Sequence, residues 1–183
     1  MTDPAVLVSA CLLGVECNHR GAGERSAPVL DALQGCTVVP VCPEVEGGLG
    51  VPRPRAEVAG GDGTAVLDTG PGGGAAVCTG DGTDVTDAYL RGARAALAIA
   101  EASTVSLAIL KSRSPSCGCS GIYDGSHTRT VRPGGVGVTA ALLMRHGIPV
   151  VDEAAGPAAI RLLLHSGDGH DDGGEDAHTR PAG

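Results

Sequence analysis

The sequence predicts an α/β fold with a mostly parallel sheet and helices on both faces, in a Rossmann-like three-layer arrangement within a single domain. Three observations predict it. Apolar runs of four to seven residues alternate with segments of helical periodicity. The runs consist almost wholly of Val, Leu, Ile and Ala, as is typical of strands buried on both faces. The length of 183 residues suits one such domain followed by a tail.

Four buried strands are predicted, each ending close to a polar or turn-forming segment. They cover residues 5–10, 37–41, 104–110 and 148–151. A Gly- and Pro-rich region, residues 47–82, separates the second strand from the longest helix. It contains one further possible strand pair, near Glu57 and Val66.

The predicted helices are marked by capping residues and by apolar residues repeating at helical spacing. They cover residues 26–35, 83–103, 138–146 and 158–165. The second is the clearest, with Asp84 or Thr86 as its cap. Gly147 ends the third helix, because glycine readily adopts the left-handed conformation found after helix ends.

Composition excludes some functional classes. The formal net charge of −8 disfavours nucleic acid as a partner, because binding a phosphate backbone requires clustered Lys and Arg. We expect no membrane span, because no run of 18 apolar residues occurs. Residues 167–183 are acidic and Gly-rich with little to bury, so we expect a domain over residues 1–166 and a disordered tail.

The chain has seven cysteines and no recognisable signal peptide, which predicts a cytoplasmic protein with free thiols. Cys11, Cys42 and Cys117 each lie at or just after the carboxyl end of a different predicted strand. Parallel strands end at the same edge of a sheet, and ligands collect there. The sequence therefore predicts that three thiols converge at one edge.

Spacing alone leaves the role of these thiols open. Gaps of 31 residues (42 − 11) and 75 residues (117 − 42) match no short metal-ligand motif. A zinc site, an iron–sulfur cluster with one open iron, and small buried residues at strand ends all fit the pattern. Cys17 and Cys119 are further candidate ligands, whereas Cys36 and Cys78 have no partner in the sequence and are expected to be buried or idle.

Groups suited to acid–base chemistry lie beside these thiols. Glu44 follows Cys42 by two residues, so its carboxyl group can donate or relay a proton at the same edge, although helix capping or pairing with an arginine is an equal alternative. Ser114 and Ser116 precede Cys117 in a Ser-Pro-Ser segment and can hydrogen-bond a substrate or simply form a turn.

Four cations near these motifs can offset thiolate charge or hold an anionic group, and solvent exposure is as good an interpretation for each: Arg53, Arg55, Lys111 and Arg113. Three histidines show no ligand-like spacing and are expected to be surface or structural residues: His19, His127 and His146.

Five segments occur in the order of one known family. They are VSACLLGVEC (8–17), CPEVEGGLGVPRPRAE (42–57), LKSRSPSCG (110–118), IYDG (122–125) and GVTAALLMRHGI (137–148). Over roughly residues 5–151 the chain resembles the TudS-type thiouracil desulfidases, also called domain-of-unknown-function family 523. Residues 18–21, Asn-His-Arg-Gly, depart from the Arg-Tyr-Asp-Gly usual in that family.

The resemblance implies a [4Fe-4S] cluster held by Cys11, Cys42 and Cys117, with the fourth iron open to substrate. It further implies that Glu44 and Ser114 serve as acid–base and substrate-positioning residues. The expected reaction is hydrolytic C–S cleavage of a small thiolated pyrimidine, 2-thiouracil giving uracil and sulfide. Two alternatives remain: a non-catalytic metal- or iron–sulfur-binding sensor, and a desulfidase acting on thiouridine nucleosides. Glu44 and the Ser-rich loop favour an enzyme, because a sensor needs no acid. The sequence does not indicate the oligomeric state.

Overall fold

The computed structural model describes residues 3–165. The predicted acidic tail, residues 167–183, lies outside this range, so the domain boundary at residue 166 stays a prediction.

Eight strands form one central sheet and two small antiparallel pairs. In chain order they are β1 (Ala5–Ser9), β2 (Thr37–Val41), β3 (Ala56–Ala59), β4 (Ala76–Thr79), β5 (Leu107–Leu110), β6 (Gly121–Tyr123), β7 (Val131–Pro133) and β8 (Val150–Asp152). The central sheet has the order β2-β1-β5-β8, and all its strands are parallel. The antiparallel pairs are β3 with β4 and β6 with β7.

Six α-helices connect these strands. They are α1 (Ala27–Ala32), α2 (Pro43–Glu46), α3 (Gly63–Thr69), α4 (Thr86–Ala102), α5 (Val138–Arg145) and α6 (Gly156–His165). Short 3-10 helices follow β1 at Ala10–Leu13 and β8 at Glu153–Ala155. No helix within residues 3–165 is long and apolar enough to cross a membrane.

The two faces of the sheet are covered by different helices. In β1, Leu7 faces a core cluster formed with α4 and α5, whereas Val6 and Val8 face a cluster formed with α1 and α6. Side chains of successive strand residues point to opposite faces, so one short apolar strand contributes to both cores. The predicted three-layer α/β fold is confirmed. A further core cluster packs the β3–β4 pair against the other side of α4 and α5.

A core without Phe or Trp depends on close approach of small residues. Helix α2 lies against α4 through two glycines. A Cβ atom on Gly92 would stand 1.9 Å from the Pro43 carbonyl oxygen, and one on Gly47 would stand 2.1 Å from the Ala88 carbonyl oxygen. Neither position therefore tolerates a side chain without displacing backbone. This contact fixes α2, and with it Glu44, against the longest helix.

Two predicted elements differ from the structure. The expected strand near Val66 is wrong, because Val66 lies in α3; the Asp62 side chain caps that helix by accepting hydrogen bonds from the amides of Thr64 and Ala65. The partner of β3 is instead β4. The third central strand begins at Leu107 rather than at residue 104, where Thr104 has a φ of 49° in the turn that leaves α4.

Candidate active site

The predicted thiols line one cavity at the carboxyl edge of the central sheet. The cavity has a volume of about 400 Å³, and Cys11, Cys42 and Cys117 are all in its wall. Cys17 lines it as well. We call these four residues the thiol rim.

The first rim residue follows β1 directly. Cys11 lies in the 3-10 helix after this strand, which ends at Gly14 with a φ of 98°. The Gly14 amide and the Glu24 amide both donate to the Cys11 carbonyl, at 3.1 and 2.8 Å. The backbone of Cys11 is thus held from two sides, while its half-buried side chain faces the cavity.

The second rim residue begins a helix. Cys42 is the N-cap of α2, and Pro43 occupies the first helical position, where a missing N–H costs nothing. Its Sγ atom lies 3.9 Å from Nη2 of Arg53 and donates to the carbonyl oxygen of Cys17 at 3.6 Å. Strand β2 and helix α2 together fix this position.

The third rim residue is buried in a tightly bonded loop after β5. Cys117 is 5% exposed, and the hydroxyl of Ser9 donates to its Sγ at 3.5 Å. Ser114 Oγ accepts hydrogen bonds from the amides of Ser116 and Cys117, each at 3.1 Å. The loop therefore presents Cys117 through local hydrogen bonds to Ser114 and through the contact with Ser9 of β1.

The first turn of α5 supports this loop from outside. The Val138 amide donates to the Pro115 carbonyl, and the Thr139 amide donates to the Ser116 carbonyl, both at 2.9 Å. The Ser116 and Thr139 hydroxyls form a buried hydrogen bond of 2.7 Å. The backbone N–H groups at the start of α5 have no partner within the helix, so they donate to carbonyl groups of the loop that carries Cys117. Ser116, expected near the substrate, has a structural role here.

The raised pKa values of the rim thiols are those expected of a group of sulfur ligands that binds a cation. Burial and then the neighbouring sulfurs, that of Cys117 first, raise the pKa of Cys11 to about 12. Burial also raises the pKa of Cys117 to about 12, although the hydrogen bond from Ser9 opposes the shift. Such values mean that several thiolates cannot coexist here without a compensating positive charge. Metal ions and clusters bind the thiolate form and supply that charge.

The arrangement suits a cluster better than it resembles a single-ion site. Within residues 3–165, no three His, Cys, Asp or Glu side chains converge in the manner of one bound metal ion. An iron–sulfur cubane makes a different demand, because each cysteine binds a different iron and the sulfurs stand apart around the cluster. The donor set, three cysteine thiols that line one cavity, is of the kind that such clusters use.

Of the other four cysteines, one lines the cavity and three do not. Cys17 is 7% exposed, lies in the rim, and has its pKa raised to about 12 by burial and then by the neighbouring Cys42. Cys119 is outside the lining of the cavity; it packs against the core formed with α4 and α5, near Asp152. Cys36 and Cys78 are outside the lining as well. Of the two further candidate ligands, the fold brings only Cys17 to the site.

Glu44 is held by several side chains at once. Its side chain is 14% exposed, and Arg53 Nε lies 2.6 Å from its Oε2. Ser114 Oγ donates to its Oε1 at 3.5 Å. Glu44 and Ser114 therefore lie together beside the thiols, as the sequence predicts. The ion pair with an arginine, considered as an alternative role, accompanies this placement.

Tyr89 completes the surroundings of Glu44, and sequence reasoning missed it. The residue lies on the buried face of α4 and is 2% exposed. Burial raises its pKa well above the ordinary value, and the charge of the neighbouring Glu44 raises it further. Helical periodicity indicated only that Tyr89 is buried; no signal in the sequence connected it with Glu44.

A second wall of the cavity carries positive charge. We call it the arginine wall; it consists of Arg53, Arg55, Tyr123 and Arg129. The Arg55 guanidinium lies over the Tyr123 ring, 5.1 Å from its centroid, which is a cation–π contact. Sequence reasoning named Arg53 and Arg55, and missed Arg129. The fold thus places several cations in the same cavity as the thiols, in a chain of net charge −8.

Three further cations line the cavity, and two of them, Arg20 and Lys111, are paired with carboxylates. Lys111 pairs with Glu153 and lies 3.5 Å from Glu24, while Arg20 lies 2.9 Å from Glu24. Arg113, the fourth predicted cation, also lines the cavity, with a φ of 58°. A non-glycine residue in this region is uncommon and is enriched at functional sites.

Two of the histidines border cavities. His19 lines the main cavity, and its carbonyl accepts a hydrogen bond from the Arg53 amide at 2.9 Å. Burial and the charge of Arg55 lower the pKa of its imidazole. His127 lines a neighbouring cavity of about 300 Å³, which shares Arg55 and Arg129 with the first. His146 lies on the surface near Glu101.

Comparison with known proteins decides the family. The model of the 2-thiouracil desulfurase family matches residues 6–155. The chain belongs to the 2-thiouracil desulfurase family. The resemblance found in its motifs is confirmed, and the matched range covers the central sheet and every residue of the thiol rim.

Two relatives of this chain have comparable lengths. The chain is 41% identical over 148 residues to the uncharacterized protein YbbK of Bacillus subtilis (strain 168), which covers 81% of this chain and 95% of YbbK. It is similar in structure to the [4Fe-4S]-dependent thiouracil desulfidase TudS, with a TM-score of 0.73 and 38% identity. That match covers 88% of this chain and 98% of TudS. Both likenesses extend over nearly the whole of each relative.

Proposed function

We propose that this protein is a [4Fe-4S]-dependent desulfidase that removes sulfur from small thiolated pyrimidines, converting 2-thiouracil to uracil and sulfide in the cytoplasm. The observation that carries the proposal is the position of Glu44. A carboxylate held by Arg53 and Ser114 stands beside three thiols in a cavity of about 400 Å³. Cavities of this size hold small-molecule ligands.

In this proposal Cys11, Cys42 and Cys117 hold three irons, and the fourth iron has no protein ligand. When bound, the cluster supplies a Lewis acid that polarises the C–S bond of the substrate. The three cysteines reach one cavity from the ends of three parallel strands, which supports this assignment. The 4Fe-4S dependence of TudS supports it independently.

Glu44 is the proposed proton carrier. Hydrolytic cleavage requires a water molecule to add to the carbon that bears sulfur and to lose a proton as it does so. Oε2 of Glu44 is taken up by Arg53 at 2.6 Å, whereas the contact of Oε1 with Ser114 is long, at 3.5 Å. Oε1 is therefore the oxygen that accepts the proton from water and later returns it to the departing sulfur. No net electron transfer is needed.

The role of Ser114 is best described as positioning. Its oxygen accepts two backbone hydrogen bonds and its proton points toward Glu44, so its hydrogen-bonding capacity is largely used. It links the Cys117 loop to Glu44 across 70 positions of sequence. We infer that it keeps the carboxylate at a fixed distance from the cluster-binding edge.

Thiouridine nucleosides are a second candidate class of substrate. The neighbouring cavity of about 300 Å³ shares Pro54, Arg55 and Arg129 with the main one, so the site extends beyond the volume that a free base requires. A sensor function is less well supported, because nothing in metal sensing calls for a carboxylate held in this way beside an open iron.

Anaerobic reconstitution with iron and sulfide tests the proposal. The loaded protein should release sulfide and uracil from 2-thiouracil, and a parallel assay with 4-thiouridine compares the two substrate classes. Iron and sulfide content should correspond to four of each per chain. A fully loaded cluster without turnover of any thiopyrimidine or thionucleoside would contradict the enzyme and favour a sensor.

A further inference from the structure

The thiol rim contains one cysteine more than the proposed cluster requires. Cys17 is 7% exposed, faces the cavity, and has no role in the reaction proposed above. It is not isolated: the Cys42 Sγ donates to the carbonyl oxygen of Cys17 at 3.6 Å. This contact places the sulfur of Cys42 against residue 17, and both cysteines line the same cavity.

Local structure allows these two sulfurs to come closer. Cys42 is fixed as the N-cap of α2, which is locked against α4 by Gly47 and Gly92. Cys17 lies outside helices and strands, in the loop between the 3-10 helix and α1. Its side chain can turn toward Cys42 without breaking a ladder of backbone hydrogen bonds. Disulfide geometry requires only that the two Cβ atoms approach to about 4 Å.

The other rim thiols are less suitable partners. Cys117 is buried in its hydrogen-bonded loop, where Ser9 donates to its sulfur. Cys11 follows β1 directly, and the amides of Gly14 and Glu24 hold its backbone from two sides. Among the four rim thiols, Cys17 and Cys42 form the pair whose contacts favour a covalent bond.

We propose that Cys17 is the oxidative partner of Cys42, and that peroxide joins the two sulfurs in a disulfide whenever the cluster is absent. This rests on the proposed function in one respect, because it takes Cys42 to be a cluster ligand. While Cys42 is bonded to iron it has no free thiol to offer. Loss of the cluster exposes the pair, and the disulfide then keeps Cys42 from irreversible oxidation.

The reaction balances with hydrogen peroxide as the oxidant. One thiol attacks a peroxide oxygen; the O–O bond breaks, and a sulfenic acid and one water form. The second thiol attacks the sulfenic sulfur; the S–S bond forms, the S–OH bond breaks, and a second water leaves. Each sulfur gives up one electron and one proton, and peroxide accepts both pairs. A thiol reductant reverses the bond and returns Cys42 for reloading.

The test uses the full chain without its cluster, reduced and kept free of air. The protein is treated with hydrogen peroxide, quenched with catalase, alkylated, digested without reductant and analysed by mass spectrometry. We expect the loss of two free thiols and a cross-linked peptide pair containing Cys17 and Cys42. Cys17→Ser should abolish this pair and accumulate sulfinic acid at Cys42. Cys17→Ala is a second variant, and circular dichroism verifies the folding of both.

Cys119→Ser is the matched control, since Cys119 is a half-buried thiol outside the cavity lining; it should leave the cross-link unchanged. A wild-type protein without the pair, or one whose Cys42 becomes sulfinic as fast as in Cys17→Ser, would overturn the inference. Cluster loading is measured separately. If the pair forms and the oxidised protein still loads iron fully, the disulfide stands and the assignment of Cys42 as a ligand fails.

Discussion

The thiol rim and the arginine wall line one cavity, yet different parts of the fold build them. Cys11, Cys42 and Cys117 follow the parallel strands β1, β2 and β5. The wall comes from the loop before β3 and from the β6–β7 pair, which belong to the two small antiparallel pairs. The rim is a direct product of the parallel sheet. The wall depends on packing between separate layers.

This difference suggests that the rim and the wall have different roles in the site. Three parallel strands that end at one edge give the rim a fixed spacing, which a rigid cluster requires. Loops on a second layer can change without altering the sheet, and loops commonly carry specificity. We therefore expect the rim to decide whether the cluster is held and the wall to decide how substrate is bound. Five predictions test this, from the largest expected effect to the smallest.

Replacing Cys117 with Ala should abolish cluster binding. The residue is 5% exposed in a loop fixed by Ser9 and Ser114, so no neighbouring thiol can take its place without unfolding the loop. Iron content and visible absorption after anaerobic reconstitution measure the loss; Cys11→Ala and Cys42→Ala should behave alike. Cys119→Ala is the control and should load normally. Full iron content in any of the three would remove that residue from the ligand set.

Replacing Glu44 with Gln should lower kcat by roughly 10²- to 10⁴-fold, the usual contribution of a general acid–base group. The shape of the side chain and most of its contacts survive, so iron content should stay at the wild-type level. Glu46→Gln is a matched control on the same helix, since Glu46 is exposed. A fall of less than a few-fold in kcat would mean that another group moves the proton.

Replacing Gly92 with Ala should destabilise the protein by about 1–3 kcal/mol, the usual cost of overpacking. The added Cβ would lie 1.9 Å from the Pro43 carbonyl and must push α2 away from α4. Because α2 carries Cys42 and Glu44, activity should fall as well. Urea unfolding measures the first effect. Gly74→Ala, where nothing lies within 4 Å of an added Cβ, should be close to neutral.

Replacing Arg129 with Ala should raise KM by about two- to fivefold and leave kcat nearly unchanged, as expected for an exposed cation that contributes only to substrate binding. Iron content should match the wild type. Arg132→Ala, an exposed arginine on β7, is the control. If Arg129→Ala instead lost its cluster, the proposed separation between rim and wall would be wrong.

Replacing Glu153 with Gln should have the smallest effect, about 1 kcal/mol or less. Burial raises the pKa of Glu153, but hydrogen bonds from Lys111 and Ser112 outweigh it and leave the pKa below the ordinary 4.5. A lowered carboxyl pKa stabilises the fold above that ordinary value, and the stabilisation disappears as the pH falls through the folded-state pKa. Wild type and variant should therefore differ in unfolding free energy at pH 7 and converge once the pH has fallen through the folded-state pKa, below 4.5. A constant difference at all pH values would contradict this.

Much of the fold was predictable because it depends on local patterns. Apolar runs of strand length identified all four central strands, and the rule that parallel strands share an edge brought Cys11, Cys42 and Cys117 together. The position of Glu44 could be predicted as well, because Glu44 lies only two residues after Cys42 and must stay close to it. The expected strand near Val66 failed because a capping aspartate, Asp62, favoured a helix over a short segment that fits either structure.

The sequence by itself determined the strands of the central sheet, the convergence of Cys11, Cys42 and Cys117 at one edge, and the family. Each of these depends on short segments and on their order along the chain. Only the tertiary structure decided which side chains surround Glu44. Arg53, Tyr89 and Ser114 come from three separate segments, and Ser114 lies 70 positions away. Tertiary packing also brought Cys17 rather than Cys119 to the cavity. Such contacts depend on how closely neighbouring elements pack. Here Gly47 and Gly92, which have no side chains, set the distance between α2 and α4.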